Sequence, residues 1–182
     1  RSGRIFFNSG LPKGMAFFNQ TMSKKNLGNV ISDCHVTLDR ESTVDLLDRI
    51  KEIGFRWSKL SGLSFSARDL LVPDMKKEYI SIAEKGVGEI EKQHQAGLLT
   101  KGERYNQIID KWTHVTEQVE RALVAGLKKD RRWGINYVNP VNIMVDSGAR
   151  GSIKQLRQLA GMRGLIAKPS GQIIEPPIKA NF

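Results

Sequence analysis

One cysteine stands in 182 residues, at position 34. No disulfide can close within the chain, a cysteine-rich zinc site is excluded, and a lone thiol fits a reducing compartment. Cys34 sits in "LGNVISDCHV" at helical spacing from apolar neighbours and reads as a buried small hydrophobe rather than a nucleophile. Long apolar runs are missing as well: none approaches the roughly 20 residues that cross a bilayer. No charged-then-apolar leader opens the chain. It begins without Met, in "RSGRIFFN", and reads as a piece of a longer polypeptide. Histidine is scarce. His35, His94 and His114 are far apart and lack metal-ligand spacing, so packing or solvated positions are expected for them. No run of aspartates offers a Mg²⁺ site, and no glycine-rich stretch has a Walker pattern. A catalytic set and a metal site within the chain are therefore not expected.

What is present is positive charge, unevenly placed. The formal net charge is +10. Residues 1–127 hold 19 basic and 16 acidic side chains, whereas 128–168 hold 9 basic and only 2 acidic. Such a field attracts polyanions, with nucleic acid or nucleotide first and an anionic membrane surface second.

The pattern predicts a mainly α chain with small β elements (α+β), in three parts: 1–74, 75–126 and 127–182. Residues 1–22 alternate short apolar groups with turn signals and predict short strands. Ser23 is placed to cap a helix through about His35, with Leu27, Val30, Ile31 and Cys34 on one face. Ser42 or Thr43 is placed to cap the next, with Val44, Leu47, Ile50 and Ile53 as its stripe and Gly54 as its stop. "LSFSARDLLVP" predicts strand and loop. Over 75–126 the spacing becomes regular. Ile80, Ala83, Val87, Ile90 and His94 alternate threes and fours, and so do Tyr105, Ile108, Trp112, Val115, Val119, Ala122 and Gly126. Two heptad seams either side of "AGLLTKGE", with Thr100 and Glu103 as a capping box, predict a projecting antiparallel coiled-coil hairpin. Residues 127–143 read as a basic linker and an apolar stretch. Ser152 then caps a short helix that turns Ile153, Leu156 and Leu159 or Ala160 inward and ends at Gly161. The tail holds a "PSG" turn, and "EPP" excludes helix.

The basic excess centres on "SGARGSIKQLRQLAGMRG". Glycines let a backbone approach a ligand or another chain, and "SGARGS" runs into a helix N-terminus, which favours an anion. Arg150 would project from that turn with a guanidinium able to fork onto phosphate oxygens. A packing turn with solvated arginines is the competing reading, and the spacing alone does not choose between them.

These residues carry a resemblance. "DSGARGSIKQLRQLAGMRGLIAKPSGQIIEPPIKANF" resembles the largest catalytic subunit (β′) of bacterial multisubunit RNA polymerase. "KKNLGNVISDC", "LDRIKEIGFRWSKLSGLSFSARDLLVP" and "GLLTKGERYNQIIDKW" resemble the same subunit in the same order, so the likeness covers essentially the whole chain. The resemblance implies a segment that lines the secondary channel, through which nucleotides reach the active centre. Residues 1–74 would be the end of the pore domain and 75–126 the rim-helix hairpin of the funnel. Residues 127–182 would be a linker, a phosphate-contact segment and the loop before the bridge helix. By its place in SGARG, Arg150 matches the arginine that contacts the triphosphate of incoming substrate. Arg157, Arg163 and Lys168 receive no defined role. "GERYN" matches a factor-contact region, making Glu103 and Asn106 candidates for docking regulatory factors, while Gln107 stands where relatives often carry Lys. The Mg²⁺-binding aspartates would lie before this stretch and the trigger loop after it, leaving the piece inactive alone. Implied partners are the β, α and ω subunits, secondary-channel factors, nucleoside triphosphates, the RNA 3′ end and template DNA, in the cytoplasm. A non-catalytic helical-hairpin binding module with a basic nucleic-acid patch is the alternative.

Overall fold

The computed structural model describes residues 2–134 and 137–182. It is mainly helical. In chain order the helices are α1 (Ser2–Ser9), α2 (Lys24–Thr37), α3 (Arg40–Ser61), α4 (Lys76–Gln95), α5 (Lys101–Lys129), α6 (Pro140–Asp146) and α7 (Ile153–Ala160), with one 3₁₀ turn at Ala67–Asp69. Among the described residues, extended pairing is confined to two antiparallel bridges, Gly164 with Ile178 and Ala167 with Ile173. The mainly α character expected from the sequence holds, while the small β elements reduce to those two bridges. The linker expected over 127–143 includes Ile135 and Asn136, which lie outside the described residues.

The chain divides into two compact units, residues 1–65 with 146–150 and residues 66–145 with 151–182. In the first, Val30, Cys34 and Leu46 are buried, with Phe7, Leu11, Met15, Phe18 and Ile50 packed on them. Residues 2–9 are helix, not strand. Phe7 turns inward from α1 while Ile5 and Phe6 stay exposed. One inward side chain per turn is what a helix offers, and a strand of this length would have no partner to complete its hydrogen bonds. Asn8 closes the return, its side chain accepting from the Phe18 amide at 2.8 Å and donating to the Phe18 carbonyl.

α2 starts where the sequence places it, with Ser23 accepting from the Asn26 amide. α3 does not. Its cap is Asp39, which accepts from the Ser42 amide at 2.7 Å; that bond holds the Asp39 carboxyl below its usual range. The inward set is Thr43, Leu46, Ile50 and Ile53, while Val44 and Leu47 are exposed. Gly54 lies within the helix, which ends at Gly62 in the left-handed region (φ 61°). An interior glycine costs about 1 kcal/mol, too little to stop a helix already anchored at its start.

In the second unit α4 folds back on α5 through residues 96–100. Ala83, Ile108, Trp112, Val115 and Val119 are buried, and Ile80, Val87 and Ile90 pack on them, as both seams predict. Beyond Val119 the seam departs from a heptad. Leu123 and Leu127 are buried instead of Ala122 and Gly126, so the apolar stripe advances by fours. A straight helix drifts about 20° per seven residues, and α5 uses the drift to change partners. Its second half packs with Leu70, Leu71, Val141, Leu156 and Ala160 rather than with α4. Each fully buried Leu or Val contributes roughly 1.5–3 kcal/mol. α7 is capped by Ser152, paired reciprocally with Gln155, and it buries Leu156 and Ala160 while Ile153 and Leu159 remain exposed.

Residues 162–182 lie along the α4–α5 pair, so the pair is not a bare arm. Met162 enters its core. Gly164 passes over α5 with φ 81°, and a Cβ there would sit 3.3 Å from the Thr116 hydroxyl, so both the conformation and the close approach require glycine.

Candidate functional site

Two surfaces carry the sequence candidates. The first is the turn after α6. α6 ends at Asp146, Gly148 (φ 75°) turns the backbone beside Lys24, and Gly151 (φ 83°) turns it again. A Cβ on Gly148 would meet that of Lys24 at 3.2 Å. Arg150 stands exposed between the glycines and makes no ion pair or side-chain hydrogen bond among the described residues.

Its neighbours in sequence behave differently. Arg157 reaches Glu120 at 3.6 Å, and its buried Nε has no hydrogen-bond partner among the described residues. Arg163 lies over the Phe182 ring, 4.8 Å from the centroid, and donates to the Ala180 carbonyl. Lys154 and Lys168 are exposed. Part of the basic excess is thus structural, and Arg150 is a forked cation left facing solvent.

The second surface is the start of α5. Thr100 and Glu103 form the expected capping box. The Glu103 carboxylate accepts from the Thr100 amide at 2.8 Å and its hydroxyl at 2.7 Å, and these bonds hold its carboxyl below the usual range. The turn before it is fastened by His94, whose Nδ1 lies 2.8 Å from the Leu99 carbonyl. Asn106 and Gln107 are exposed one turn further on. Glu103 and Asn106, three residues apart, share a face of α5; Arg150 belongs to the other unit. His35 is exposed, and His114 pairs with Asp110 at 3.7 Å along α5.

The spacing gave no hint of a polar knot in the second unit. Asp130 accepts from Arg132 and from Asn139 Nδ2, and its carboxyl is held down at about 2, first by the Arg132 hydrogen bond and then, against the cost of burial, by Asn139. Asn139, fully buried, also donates to the Asp69 carbonyl. Asp69 in turn accepts from the Ser66 amide, which is the main reason its carboxyl is lowered, and from Tyr137 and Arg132. Residues some 60–70 positions apart meet here, with no periodic signal to announce them. Among the described residues no three His, Cys, Asp or Glu side chains gather as a metal site. No described helix is long and apolar enough to cross a membrane.

Residues 2–70 match the family model for RNA polymerase Rpb1, domain 3, and residues 99–182 match that for RNA polymerase Rpb1, domain 4. The DNA-directed RNA polymerase subunit β′ of Rhodopirellula baltica is 51% identical over 99% of this chain, that of Methylacidiphilum infernorum 46% over 99%, and that of Aquifex aeolicus 46% over 99%. The chain belongs to the RNA polymerase β′ family. It spans 13% of the length of the first two relatives and 12% of the third. Within the β′ family match, the domain 4 region takes in the capping box, the SGARG turn and the residues lying along the α4–α5 pair, and the domain 3 region takes in α1 to α3 and the 3₁₀ turn.

Proposed function

We propose that this β′ segment serves DNA-templated RNA synthesis by lining the secondary channel and presenting Arg150 to the triphosphate of the incoming nucleotide. The observation that carries the reading is Arg150 itself: exposed, without an ion pair among the described residues, and set between two glycines with positive φ. A planar guanidinium can place two N–H donors on phosphate oxygens. In this reading the piece positions substrate and does no chemistry alone. In the same reading Mg²⁺ would be held by residues outside the chain, where it would neutralise the phosphates and activate the RNA 3′ end. The β, α and ω subunits and template DNA complete the cytoplasmic assembly, and the α4–α5 tip docks channel factors through Glu103 and Asn106.

The test is single-nucleotide addition by the assembled polymerase across substrate concentrations. A hydrogen bond to a charged group contributes about 1.5–3 kcal/mol, so Arg150→Ala is expected to lower nucleotide use by roughly 10–150-fold. Arg150→Lys restores it in part, because a point charge cannot replace the fork. Wild-type kinetics from an assembled Arg150→Ala enzyme would sink the reading.

A further inference from the structure

The tip of the α4–α5 pair is tied to a stretch of chain some seventy residues later. Residues 163–180 fold back on themselves around Gly171. The Lys168 amide donates to the Gln172 carbonyl at 2.8 Å, Ile174 to Ile166 at 2.9 Å, and Gly164 and Ile178 exchange both bonds. The end of this loop nearer its base is held at several points. Met162 is buried, Lys179 pairs with Glu84 and lies over the Trp112 ring, and Lys76 donates to Asn181 at 3.0 Å.

The far end depends on two neighbouring residues of α5. Arg104 directs both terminal nitrogens at Glu175 Oε2, at 2.9 and 2.8 Å, and the Tyr105 hydroxyl donates to the Ile173 carbonyl at 3.0 Å. Exposed ion pairs contribute little to stability. This one is different in setting: the side chains are only 19% and 32% exposed, and the contact is non-local. Pro176 and Pro177 follow Glu175, so the segment it anchors has little backbone freedom to absorb its loss.

Arg104 also lies between Glu103 and Asn106, the pair assigned above to factor docking. We propose that Arg104 is a positioning residue: its grip on Glu175, seconded by Tyr105, sets the placement of the 163–180 loop on α5 and couples that placement to occupancy of the Glu103–Asn106 face. The coupling rests on the docking role proposed above; the latch rests on the geometry. A partner that pulls the first turn of α5 moves the Arg104 backbone with it. The far half of the loop then loses its anchor while its base stays fixed.

The test uses the assembled polymerase with Arg104→Gln, Glu175→Gln and the exchanged pair Arg104→Glu/Glu175→Arg. Amide hydrogen exchange at Lys168 and Ile174 should accelerate about tenfold in each single variant, as expected for losing one charge-assisted contact. Exchange at Gly164 and Ile178, near the base, should stay within about twofold. The exchanged pair should bring the far amides back toward wild type, which mere loss of packing would not do. A channel factor should alter single-nucleotide addition by the assembled polymerase less in the single variants than it does in wild type. Unchanged exchange in the single variants, or an exchanged pair no better than they are, overturns the latch. Faster exchange with an unaltered factor response overturns the coupling. The Arg150→Ala experiment fails or succeeds independently of either result.

Discussion

Asp130 shows how one side chain ties acid stability to a particular contact. Its carboxyl titrates at about 2 in the folded chain against an ordinary 3.8. A carboxyl lowered on folding stabilises the native state above its unfolded value, and that contribution is lost as pH falls through the folded one. The window therefore runs from about pH 4 down to about 2, and the lowered Asp69 acts in the same direction. Asp130→Asn is expected to cost about 1–3 kcal/mol at pH 7. Urea midpoints of variant and wild type should draw together at pH 3, and a constant gap would mean that the Asp130 charge is not what matters. Glu103 needs similar care. Because its carboxylate closes the capping box on the Thr100 amide, Glu103→Lys removes that bond along with any docking contact. Asn106→Ala leaves the cap intact, so it should weaken factor binding in the assembled enzyme without loss of helical circular dichroism.

At the scale of the element, α5 was the most legible part of the chain. Five seam residues from Tyr105 to Val119 announce a helix and its buried face, because one long stripe repeats the same spacing. Val115→Asp, which buries an unpaired charge, is expected to cost more than about 3 kcal/mol and to abolish the α4–α5 pairing, seen as lost ellipticity at 222 nm. Gly164→Ala should cost about 1–2 kcal/mol through its backbone conformation, with additional crowding against Thr116. Other elements were harder to read. Ile5-Phe6-Phe7 carries strand-forming residues, and only packing of Phe7 on the first unit's core decides for helix. Val44 and Thr43 are adjacent, and a one-residue shift of the stripe exchanges an apolar residue for a hydroxyl that bonds the Asp39 carbonyl at 2.7 Å, which hydrophobicity alone does not reveal. The candidate site divided in the same way. Arg150, Glu103 and Asn106 are candidates through what the resemblance of SGARG and GERYN implies, and the structure leaves all three exposed. The Arg104–Glu175 contact and the Asp69–Asp130–Asn139 knot were not legible in the sequence, because each joins distant positions through single polar side chains.

For the whole molecule, the 29 lysines and arginines are not equally available to a polyanion. Arg104, Arg132, Arg157 and Lys179 are engaged with carboxylates, leaving Arg150, Lys154 and Lys168 among the exposed cations. Affinity for a single-stranded oligonucleotide is expected to fall with added salt, each neutralised phosphate contributing a slope of about 0.7 on logarithmic axes. The double variant Arg150→Ala/Lys154→Ala should flatten that slope, read by fluorescence anisotropy as a salt titration, whereas Arg157→Ala should leave it alone. An equal effect of both variants would show that the inward arginine is as available as the outward ones. Large apolar side chains are also exposed in the first unit, among them Phe55, Leu60 and Phe65, and such surfaces associate with others.

Cys34 is fully buried beneath Leu46 and within reach of the Thr43 hydroxyl, and it is the sole thiol in the chain. Leu98, in the turn joining α4 to α5, is 74% exposed. Maleimide chemistry therefore has one address: Leu98→Cys should take a fluorophore at the hairpin tip while the native thiol stays unmodified until the first unit opens. The same reagent then serves two purposes, as a dye handle beside the Glu103–Asn106 face in the folded chain and, from slow labelling of Cys34, as a clock for unfolding of the other unit.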